Sequence, residues 1–364
     1  MNILFVSHLS GKLSAGPCWS VPARVKAQSV VDNVFWLNWG RAEVEHWVQT
    51  GVFHKSVEFG SCRVCDLPVP FNKPDYVVFE GFYSRNSTLM AKELDKIGVP
   101  YIVNPRGSLT KQARNNGSKW KKNIAHLVWF DHFVNHSKAI QYLTKQECDD
   151  TSVKNHQYFI LPNGFNTPTQ TKTSFSEDGL RVVFIGRIDI YHKGLDLLMD
   201  AVISVQDELR NANVHFDIYG PSNEDLRLLN QKYAENGISD LFEMKGETTG
   251  IAKEKVLLDA DVFILTSRFE GHPMGLIEAL SYGLPALVTV GSNMKEEIEH
   301  ADAGWACDTS IESIRNGLLK MIEERARIKA KSENAKQLAS QYKWEKLAKQ
   351  LHEQLESFCL QSHE

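Results

Sequence analysis

Two cationic side chains follow a short apolar segment in the second half of the chain, at a spacing that suits anion binding. Residues 181–186 (RVVFIG) have the composition of a buried strand that ends at Ile185, and Gly186 and Arg187 follow at its carboxyl end. Lys193 follows at the end of a short loop, where a helix is expected to begin. An Arg can hold two phosphate oxygens at once, and a Lys adds a compact charge beside the N–H groups of a helix start. The segment therefore predicts a diphosphate site, although the two cations could instead pair only with neighbouring aspartates.

Two carboxylates lie downstream of that loop, with a glycine-rich turn between them. Glu270 comes just after the apolar segment 261–266, and Glu278 falls inside the helix that begins near Met274. Gly275 lets backbone N–H groups approach a ligand closely. A carboxylate in the loop suits sugar hydroxyls, and one deeper in the helix could accept both hydroxyls of a ribose. Alternatively, Glu278 only pairs or caps within its own helix.

A glycine-bearing loop also follows the first apolar segment of the chain. Residues 8–25 contain Gly16 directly before Pro17, near which a helix is expected to begin. The loop is not a Walker loop, because no Lys-Ser or Lys-Thr pair follows Gly16, and it lacks the G-x-G-x-x-G pattern. The sequence therefore supports neither nucleoside triphosphate hydrolysis nor dinucleotide binding.

Residues 106–122 (RGSLTKQARNNGSKWKK) form a basic stretch without any acidic residue. Its cations are Arg106, Lys111, Arg114, Lys119, Lys121 and Lys122. Trp120 lies among them, and this combination suits an anionic membrane face or a lipid-linked diphosphate. A solvated helix face would look the same. Residues 1–165 carry 19 Lys and Arg against 13 Asp and Glu, whereas the remainder carries 22 against 32, so the two halves could meet different partners.

Short β-branched or aromatic segments alternate with amphipathic stretches, which is typical of parallel βαβ units. The predicted strands are residues 3–6, 34–37, 76–79, 101–103, 158–161, 181–186, 214–220, 261–266 and 285–290. The predicted helices cover about 19–31, 86–97, 193–205 and 275–282. Parallel sheets bind ligands beyond the carboxyl ends of their strands, and the residues that could do chemistry follow predicted strands.

Two domains are expected, because single cores rarely grow to the size that 364 residues would require. Residues 166–180 are rich in Thr, Ser and Pro and predict a linker between an N-terminal domain over 1–165 and a C-terminal domain over 181–342. Residues 343–364 have apolar side chains at helical spacing and predict a terminal helix that docks on one of the two domains.

The composition is that of an ordinary globular protein, with 42% hydrophobic and 24% charged residues. No segment approaches the roughly 20 apolar residues of a membrane span, and the opening MNILFVSHLS is read as a buried strand, so a cytoplasmic protein is expected. Cys62 and Cys65 form a C-x-x-C, which we interpret as two thiols because no second C-x-x-C accompanies it. The net charge of −4 argues against nucleic acid.

Taken in order along the chain, these motifs resemble the retaining GT-B glycosyltransferases of family four, a group that includes bacterial polysaccharide-assembly enzymes. The segment EGHPMGLIEALSYGLP (270–285) looks like the E-x7-E signature of that family, and GRIDIYHKG (186–194) looks like its phosphate motif. SQYKWEKLAKQLHEQL (340–355) looks like its terminal helix, which crosses back to the first domain. The resemblance implies an α/β fold of two Rossmann-like domains with a cleft between them.

The resemblance also implies roles for individual residues. Arg187 and Lys193 would hold the donor diphosphate, Glu278 the ribose and Glu270 the donor sugar. Catalysis would rest on Arg187, Lys193 and Glu270. The other implied donor-binding positions are Gly16, Gly186, His272, Met274 and Gly275.

One feature of that family is missing from the sequence. Many members carry a His in the first domain that reaches the donor sugar, whereas the corresponding segment here is VNPRGSL (103–109), with Arg106 in that position. His8 and His136 are alternative substitutes, and we assign no catalytic His. Arg106, Lys111 and the three lysines of residues 119–122 are instead candidates for the acceptor side.

The expected reaction is metal-independent transfer of a sugar from a nucleotide-sugar donor, with UDP as the expected nucleotide. Neither a metal nor a cofactor is expected, since the sequence has no Asp-x-Asp motif and protein cations can stabilise the leaving phosphate. The expected acceptor is a glycan or lipid-linked glycan of a capsule or exopolysaccharide, with peripheral contact at the inner face of the plasma membrane. The alternatives are a GT-B-fold sugar-nucleotide epimerase and a non-catalytic sugar-nucleotide binder.

Overall fold

The computed structural model describes residues 1–12, 15–60, 63–110, 130–151, 153 and 156–360, and the chain divides into two compact units. The first unit contains Met1–Gly164 together with Trp344–Glu364, and the second contains Phe165–Lys343. Within the described ranges, no helix is both long enough and apolar enough to cross a membrane.

The first unit is built on a sheet with the strand order β3-β2-β1-β4-β5-β6-β7, in which all neighbouring strands are parallel. The strands are β1 (Asn2–Ser7), β2 (Asn33–Asn38), β3 (Phe53–Lys55), β4 (Tyr76–Glu80), β5 (Tyr101–Asn104), β6 (Ala139–Tyr142) and β7 (Tyr158–Ile160). The helices between them include α1 (Pro17–Gln28), α2 (Glu45–Val48), α3 (Arg85–Ile97), α4 (Asp131–Asn135) and α5 (Lys145–Asp150).

The central strands of this sheet carry apolar side chains along their length and polar side chains at their last positions. Phe5 in β1 and Phe79 in β4 are fully buried, because helices cover both faces of a parallel sheet. The final residues of β1, β2, β4 and β5 are buried and polar: Ser7, Asn38, Glu80 and Asn104. The register aligns Ser7 with both Asn38 and Glu80, so a polar row lies along the carboxyl-terminal edge of the sheet.

The second unit repeats the same architecture, with an all-parallel sheet in the order β10-β9-β8-β11-β12-β13. Its strands are β8 (Leu180–Ile185), β9 (Val214–Tyr219), β10 (Phe242–Gly246), β11 (Val262–Leu265), β12 (Ala286–Thr289) and β13 (Gly304–Cys307). Its helices include α6 (Leu195–Ser204), α7 (Gln206–Asn211), α8 (Glu224–Glu235), α9 (Gly250–Asp259), α10 (Met274–Tyr282), α11 (Lys295–Ala301), α12 (Ile311–Glu323) and α13 (Ile328–Ala339). Both units are therefore Rossmann-like.

The last helix of the chain, α14 (Trp344–Leu360), belongs to the first unit and packs against α1. Its apolar stripe is buried, as the helical spacing of those residues requires. Polar contacts add to this packing: Gln28 Nε2 donates to the carbonyl of Ala348 at 3.1 Å, and His352 Nδ1 lies 2.8 Å from Asp32 Oδ1.

The segment 166–180, expected to be a linker, packs on the second unit instead. The N–H of Phe165, just before it, donates to the carbonyl of Tyr342, and the N–H of Lys172 donates to the carbonyl of Tyr282. The side chain of Lys172 is buried and lies 3.4 Å from Asp261 Oδ1. A segment without apolar periodicity is thus anchored by backbone bonds and one ion pair, which composition does not reveal.

Candidate functional site

The two predicted donor segments lie at the carboxyl-terminal edge of the second sheet. β8 ends at Ile185 and β11 ends at Leu265, and these two strands are parallel neighbours. The loops that follow them therefore leave the sheet at the same edge. Lys193 in the first loop donates a hydrogen bond of 2.5 Å from Nζ to Oε1 of Glu270 in the second. The fold thus joins a cation and a carboxylate that are 77 residues apart in sequence.

Several contacts fix the position of Glu270. Ser267 Oγ donates to the same Oε1 at 2.6 Å, and Asn293 Nδ2 donates to the backbone carbonyls of Glu270 and Gly271. The other carboxylate oxygen, Oε2, accepts no hydrogen bond from the described residues. One oxygen of Glu270 is therefore committed to the protein, and the other can accept from a ligand hydroxyl.

Arg187 lies at the same edge but is held less tightly. Its side chain is half-exposed; Nη2 donates to His192 Nδ1 at 2.8 Å and lies 3.3 Å from Asp189 Oδ2. Burial lowers the pKa of His192, so the ring is neutral near pH 7 and Nδ1 can accept this bond. Arg187 therefore does pair with Asp189, which was the alternative to a phosphate role. Its remaining guanidinium N–H groups are still available to an anion.

Lys193 does not pair with Asp196, the second aspartate near the two cations. Asp196 accepts two hydrogen bonds of 2.7 Å from Arg268, whose guanidinium also lies 4.5 Å from the ring centre of Tyr191. This bidentate pair links the loop after β11 to α6. Because Asp196 is paired with Arg268, Lys193 pairs with Glu270 instead. Arg268 was not among the predicted site residues, because nothing in its local sequence distinguishes it from a surface cation.

Gly194 is the residue that allows the two loops to approach each other. It has a φ of +61°, and a Cβ at this position would lie 2.1 Å from the carbonyl oxygen of Thr266. The Thr266 hydroxyl in turn donates to the carbonyls of Lys193 and Gly194, both at 3.1 Å. Only glycine fits both the backbone angle and the space, so it sets the position of the adjacent Lys193.

The start of α10 lies beside the end of β8, where the predicted phosphate ligands are. A Cβ on Gly275 would come within 3.2 Å of the Ile185 carbonyl oxygen, so the helix start packs closely against that strand. Pro273 is the N-cap residue, and the described residues provide no side-chain cap. The first backbone N–H groups of α10, at Met274 and Gly275, therefore have no intrahelical partner and can bind an anion.

His272 contributes packing rather than charge. Its side chain is buried, with its ring centre 5.5 Å from that of Tyr342, and burial lowers the pKa of the imidazole to about 3. The ring therefore stays neutral at physiological pH, so His272 would not bring a positive charge to a phosphate.

Glu278 lies on the second turn of α10 and pairs with another helix. Lys253 of α9 donates to its Oε2, whereas Oε1 accepts no hydrogen bond from the described residues. The pairing within its own helix that the sequence left open does not occur. The half-buried carboxylate keeps one oxygen for a ligand, and a bound diol would need to displace Lys253 to reach both.

In the first unit, Gly16 is the N-cap of α1, and a Cβ there would meet no described atom within 4 Å. His8 comes directly after β1 and is exposed at the carboxyl-terminal edge. His136 follows α4 and precedes β6, which places it at the opposite, amino-terminal edge. Of the two alternative substitutes for the missing His, only His8 therefore lies at the edge where ligands bind.

Arg106 is a buried network residue rather than part of a solvated basic surface. Its side chain is 8% exposed, its φ is +51°, and its Nε donates to Glu80 Oε2 at 2.7 Å. Arg24 Nη1 holds the other oxygen of the same carboxylate, also at 2.7 Å. Burial acts to raise the pKa of Glu80, but Arg106 and Arg24 hold it below its usual range. The other cations named from the basic stretch, Lys111, Lys119, Lys121 and Lys122, lie outside the described residues.

The comparison with protein families matches residues 166–338 to the glycosyl transferases group 1 family. Mannosylfructose-phosphate synthase of Agrobacterium fabrum is 24% identical over 167 residues, 42% of this chain and 37% of that protein. A Salmonella typhimurium protein named as a colanic acid biosynthesis glycosyltransferase, WcaL, is 36% identical over 92 residues, 24% of this chain and 22% of that protein. The aligned part of the chain thus spans less than half of either relative.

Solved structures resemble the chain over almost its whole length. Anabaena HepE in complex with UDP has a TM-score of 0.76 and 16% identity, covering 98% of this chain and 100% of that one. WaaG, titled as a glycosyltransferase involved in lipopolysaccharide biosynthesis, has a TM-score of 0.64 and 15% identity, covering 96% and 98%. At these identities the likeness shows the fold, which is GT-B. Within a chain of that fold, residues 166–338 match the model of the glycosyl transferases group 1 family.

Proposed function

We propose that the protein transfers a sugar from a nucleoside-diphosphate sugar, specifically a UDP-sugar, to a hydroxyl group of a glycan or lipid-linked glycan during synthesis of a cell-surface polysaccharide. The observation that carries the proposal is the pairing of Lys193 with Glu270 at the carboxyl-terminal edge of the second sheet. It places a cation suited to phosphate beside a carboxylate suited to sugar hydroxyls, at the edge where α/β sheets bind ligands.

The diphosphate would be held by three kinds of positive group. Lys193 supplies a point charge, Arg187 supplies guanidinium N–H groups on a half-exposed side chain, and Met274 and Gly275 supply backbone N–H groups at the start of α10. Negative charge grows on the β-phosphate as the sugar leaves, and fixed donors aimed at it stabilise that transition state.

The two carboxylates would recognise different parts of the donor, the transferred sugar and the ribose. Lys193 and Ser267 both donate to Oε1 of Glu270, so Oε2 can accept a hydrogen bond from a hydroxyl of the sugar. Glu278 lies further along α10 and would accept hydrogen bonds from the ribose hydroxyls once its ion pair with Lys253 is broken. A carboxylate is an acceptor only, so both groups favour hydroxyl-rich ligands over further phosphate.

In the proposed reaction, the bond between the anomeric carbon and the β-phosphate oxygen breaks, and a bond from the anomeric carbon to the acceptor oxygen forms on the same face. The acceptor proton passes to the departing phosphate, so that the products are the glycoside and the nucleoside diphosphate. Arg187 and Lys193 take the electrostatic role that a metal ion has in other phosphate-leaving-group sites, so the proposed reaction needs no added metal.

The choices of nucleotide and pathway rest on the similar proteins. HepE is titled as a complex with UDP, and the pneumococcal GtfA, with a TM-score of 0.58, as a complex with UDP and GlcNAc. WcaL and WaaG are named for colanic acid and lipopolysaccharide biosynthesis. For the acceptor we propose a lipid-linked glycan at an anionic membrane face, on the basic residues 111–122, since Arg106 pairs with Glu80.

The test is a titration of UDP, GDP and ADP against the purified protein, followed by thermal unfolding. A nucleotide present at 100 times its dissociation constant should stabilise the protein by about 2.7 kcal/mol, and we expect UDP to have the strongest effect. Turnover is then measured with UDP-sugars and a glycan acceptor. Stabilisation by none of the three nucleotides would overturn the donor site, and an altered sugar nucleotide formed without acceptor would identify an epimerase.

A further inference from the structure

A cluster of three metal-ligating side chains lies at the amino-terminal edge of the first sheet. Asp95 is near the end of α3, which leads into β5, and His132 and His136 lie on and just after α4, which leads into β6. One ligand atom from each of these residues lies within 4.8 Å of those from the other two. The polar row that ends at Glu80 and Asn104 occupies the opposite edge of the same sheet, and none of the residues assigned to the proposed reaction belongs to this cluster.

The distances within the cluster match those around a tetrahedral metal ion. Asp95 Oδ2 is 3.0 Å from His132 Nε2 and 3.3 Å from His136 Nδ1. Zinc bonds to imidazole nitrogen and carboxylate oxygen are about 2.0–2.2 Å long, which separates neighbouring tetrahedral ligands by roughly 3.3–3.5 Å. A small movement of the side chains would therefore place an ion among the three atoms without displacing the backbone.

The helix spacing supports the same interpretation. His132 and His136 are four residues apart, so they project from the same face, and their ring centres are 3.8 Å apart. Nε2 of His132 and Nδ1 of His136 both face Oδ2 of Asp95. A divalent cation would satisfy all three groups at once.

The surroundings leave the cluster accessible. The side chain of His136 is half-exposed, and those of His132 and Asp95 are about one-third and one-quarter exposed, so an ion and a completing water can enter from solvent. Lys138, two residues after His136, has its Nζ 5.8 Å from the centre of the Phe358 ring. Two imidazoles and one carboxylate suit zinc and similar transition ions, whereas magnesium and calcium prefer oxygen ligands alone.

We propose that Asp95, His132 and His136 bind one zinc ion, with water completing the coordination, and that the ion joins the end of α3 to α4. The site has an open position, but it lies at the amino-terminal edge of the first sheet, opposite the edge where Arg106 follows β5. Its role is therefore to fasten two helices of the first unit, and sugar transfer does not depend on it.

The experiment is a zinc titration of tag-free protein that has first been stripped with a chelating resin, using competition with a chromophoric chelator. One zinc per chain is expected for the unaltered protein. His132→Gln and His136→Gln should each weaken zinc binding by at least about 10–100-fold, because even outer-shell changes at metal sites have effects of that size. His300→Gln, an exposed histidine of the second unit, and Cys65→Ser should leave the affinity unchanged.

Cobalt(II) provides the second measurement. It should give a tetrahedral spectrum without a thiolate charge-transfer band, since the three ligands are nitrogen and oxygen. Circular dichroism checks that each variant is folded, and the half-exposed His136 makes His136→Gln the decisive variant. Substoichiometric zinc in the unaltered protein, equal affinity in His136→Gln, or a thiolate band lost in Cys65→Ser would each overturn the proposal.

Discussion

Lys193 and Arg187 are engaged by the protein to different degrees. Lys193 is largely buried and donates to Glu270, whereas Arg187 is half-exposed and contacts a neutral His192 and Asp189. A phosphate oxygen therefore has to share Lys193 with a carboxylate, but it meets a guanidinium that still has free N–H groups. The two cations should accordingly contribute to the protein in different ways.

We expect Arg187→Ala and Lys193→Ala each to lower the rate of sugar transfer by about 10²–10³-fold, because each removes a charge that stabilises the leaving phosphate. Lys193→Ala should also lower the melting temperature, since it leaves Glu270 without its ion-pair partner. The measurements are steady-state kinetics, UDP titration and thermal unfolding. Arg227→Ala, which removes an exposed cation paired within α8, is the matched control and should change neither rate nor affinity. Turnover at the unaltered rate in both site variants would remove the phosphate assignment.

The two glutamates should separate by which part of the donor they recognise. Glu278→Gln should weaken the binding of free UDP, because the ribose is present in that ligand. Glu270→Gln should leave free UDP binding nearly unchanged and slow transfer, because its open oxygen is proposed to meet the sugar. Calorimetric titration with UDP, together with turnover of the UDP-sugar, distinguishes the two. Equal losses of UDP affinity in both variants would contradict this division of roles.

At the scale of elements, the site depends on two loops that can approach each other only at a glycine. Gly194 combines a φ of +61° with a contact to Thr266 that leaves no room for a side chain. Bidentate pairing of Arg268 with Asp196 then ties the second loop to α6. The position of Lys193 is therefore a property of loop packing and not of its own rotamer alone.

Gly194→Ala should lower the affinity for UDP and destabilise the protein by more than the roughly 1–2 kcal/mol that a left-handed backbone costs an alanine. Gly237→Ala is the matched control, because its φ is +68° but a Cβ there would meet no described atom within 4 Å. It should show only the backbone cost and bind UDP normally. Chemical denaturation and UDP titration of both variants provide the comparison, and equal behaviour of the two would show that the contact with Thr266 does not position the loop.

At the scale of the whole molecule, the proposed chemistry relies on protein cations. We therefore expect sugar transfer to survive incubation with EDTA, even though EDTA would empty the proposed zinc site of the first unit. The assay compares initial rates before and after chelation and after readdition of Mg²⁺ or Mn²⁺. Loss of activity that either ion restores would show that the leaving phosphate requires a metal.

The basic residues 111–122 lead to a prediction about membranes. Lys119, Lys121 and Lys122 changed together to Glu should abolish weak binding to anionic liposomes, since each cation near such a surface contributes about 1 kcal/mol. UDP affinity should be unaffected, because the proposed donor groups all lie in the second unit. Raising the salt concentration should mimic the triple variant in co-sedimentation. Equal sedimentation of the two proteins at low salt would mean that the stretch is a solvated surface.

Periodicity and local composition were enough to predict the alternation of strands and helices, and the resemblance of the motifs was enough to predict the GT-B fold. Long apolar strands such as β1 and β4 are buried on both faces, which produces a pattern visible in the sequence. The strands β3, β6, β10 and β13 were not predicted, because they have three to five residues and little regular alternation. The segment 166–180 looked like a linker for a related reason, since its anchors are backbone hydrogen bonds that carry no compositional signal.

The sequence alone also determined the types of group available for phosphate and sugar, because Arg187, Lys193, Glu270 and Glu278 stand in recognisable local motifs. Only the tertiary structure decided how they pair: strand order makes β8 and β11 neighbours, and this brings Lys193 to Glu270 rather than to a nearby aspartate. Strand order also makes β4 and β5 neighbours, and this brings Arg106, just after β5, to the buried carboxylate of Glu80 at the end of β4. Contacts between residues distant in sequence depend on sheet order and packing, and no local pattern in one sequence encodes those distances.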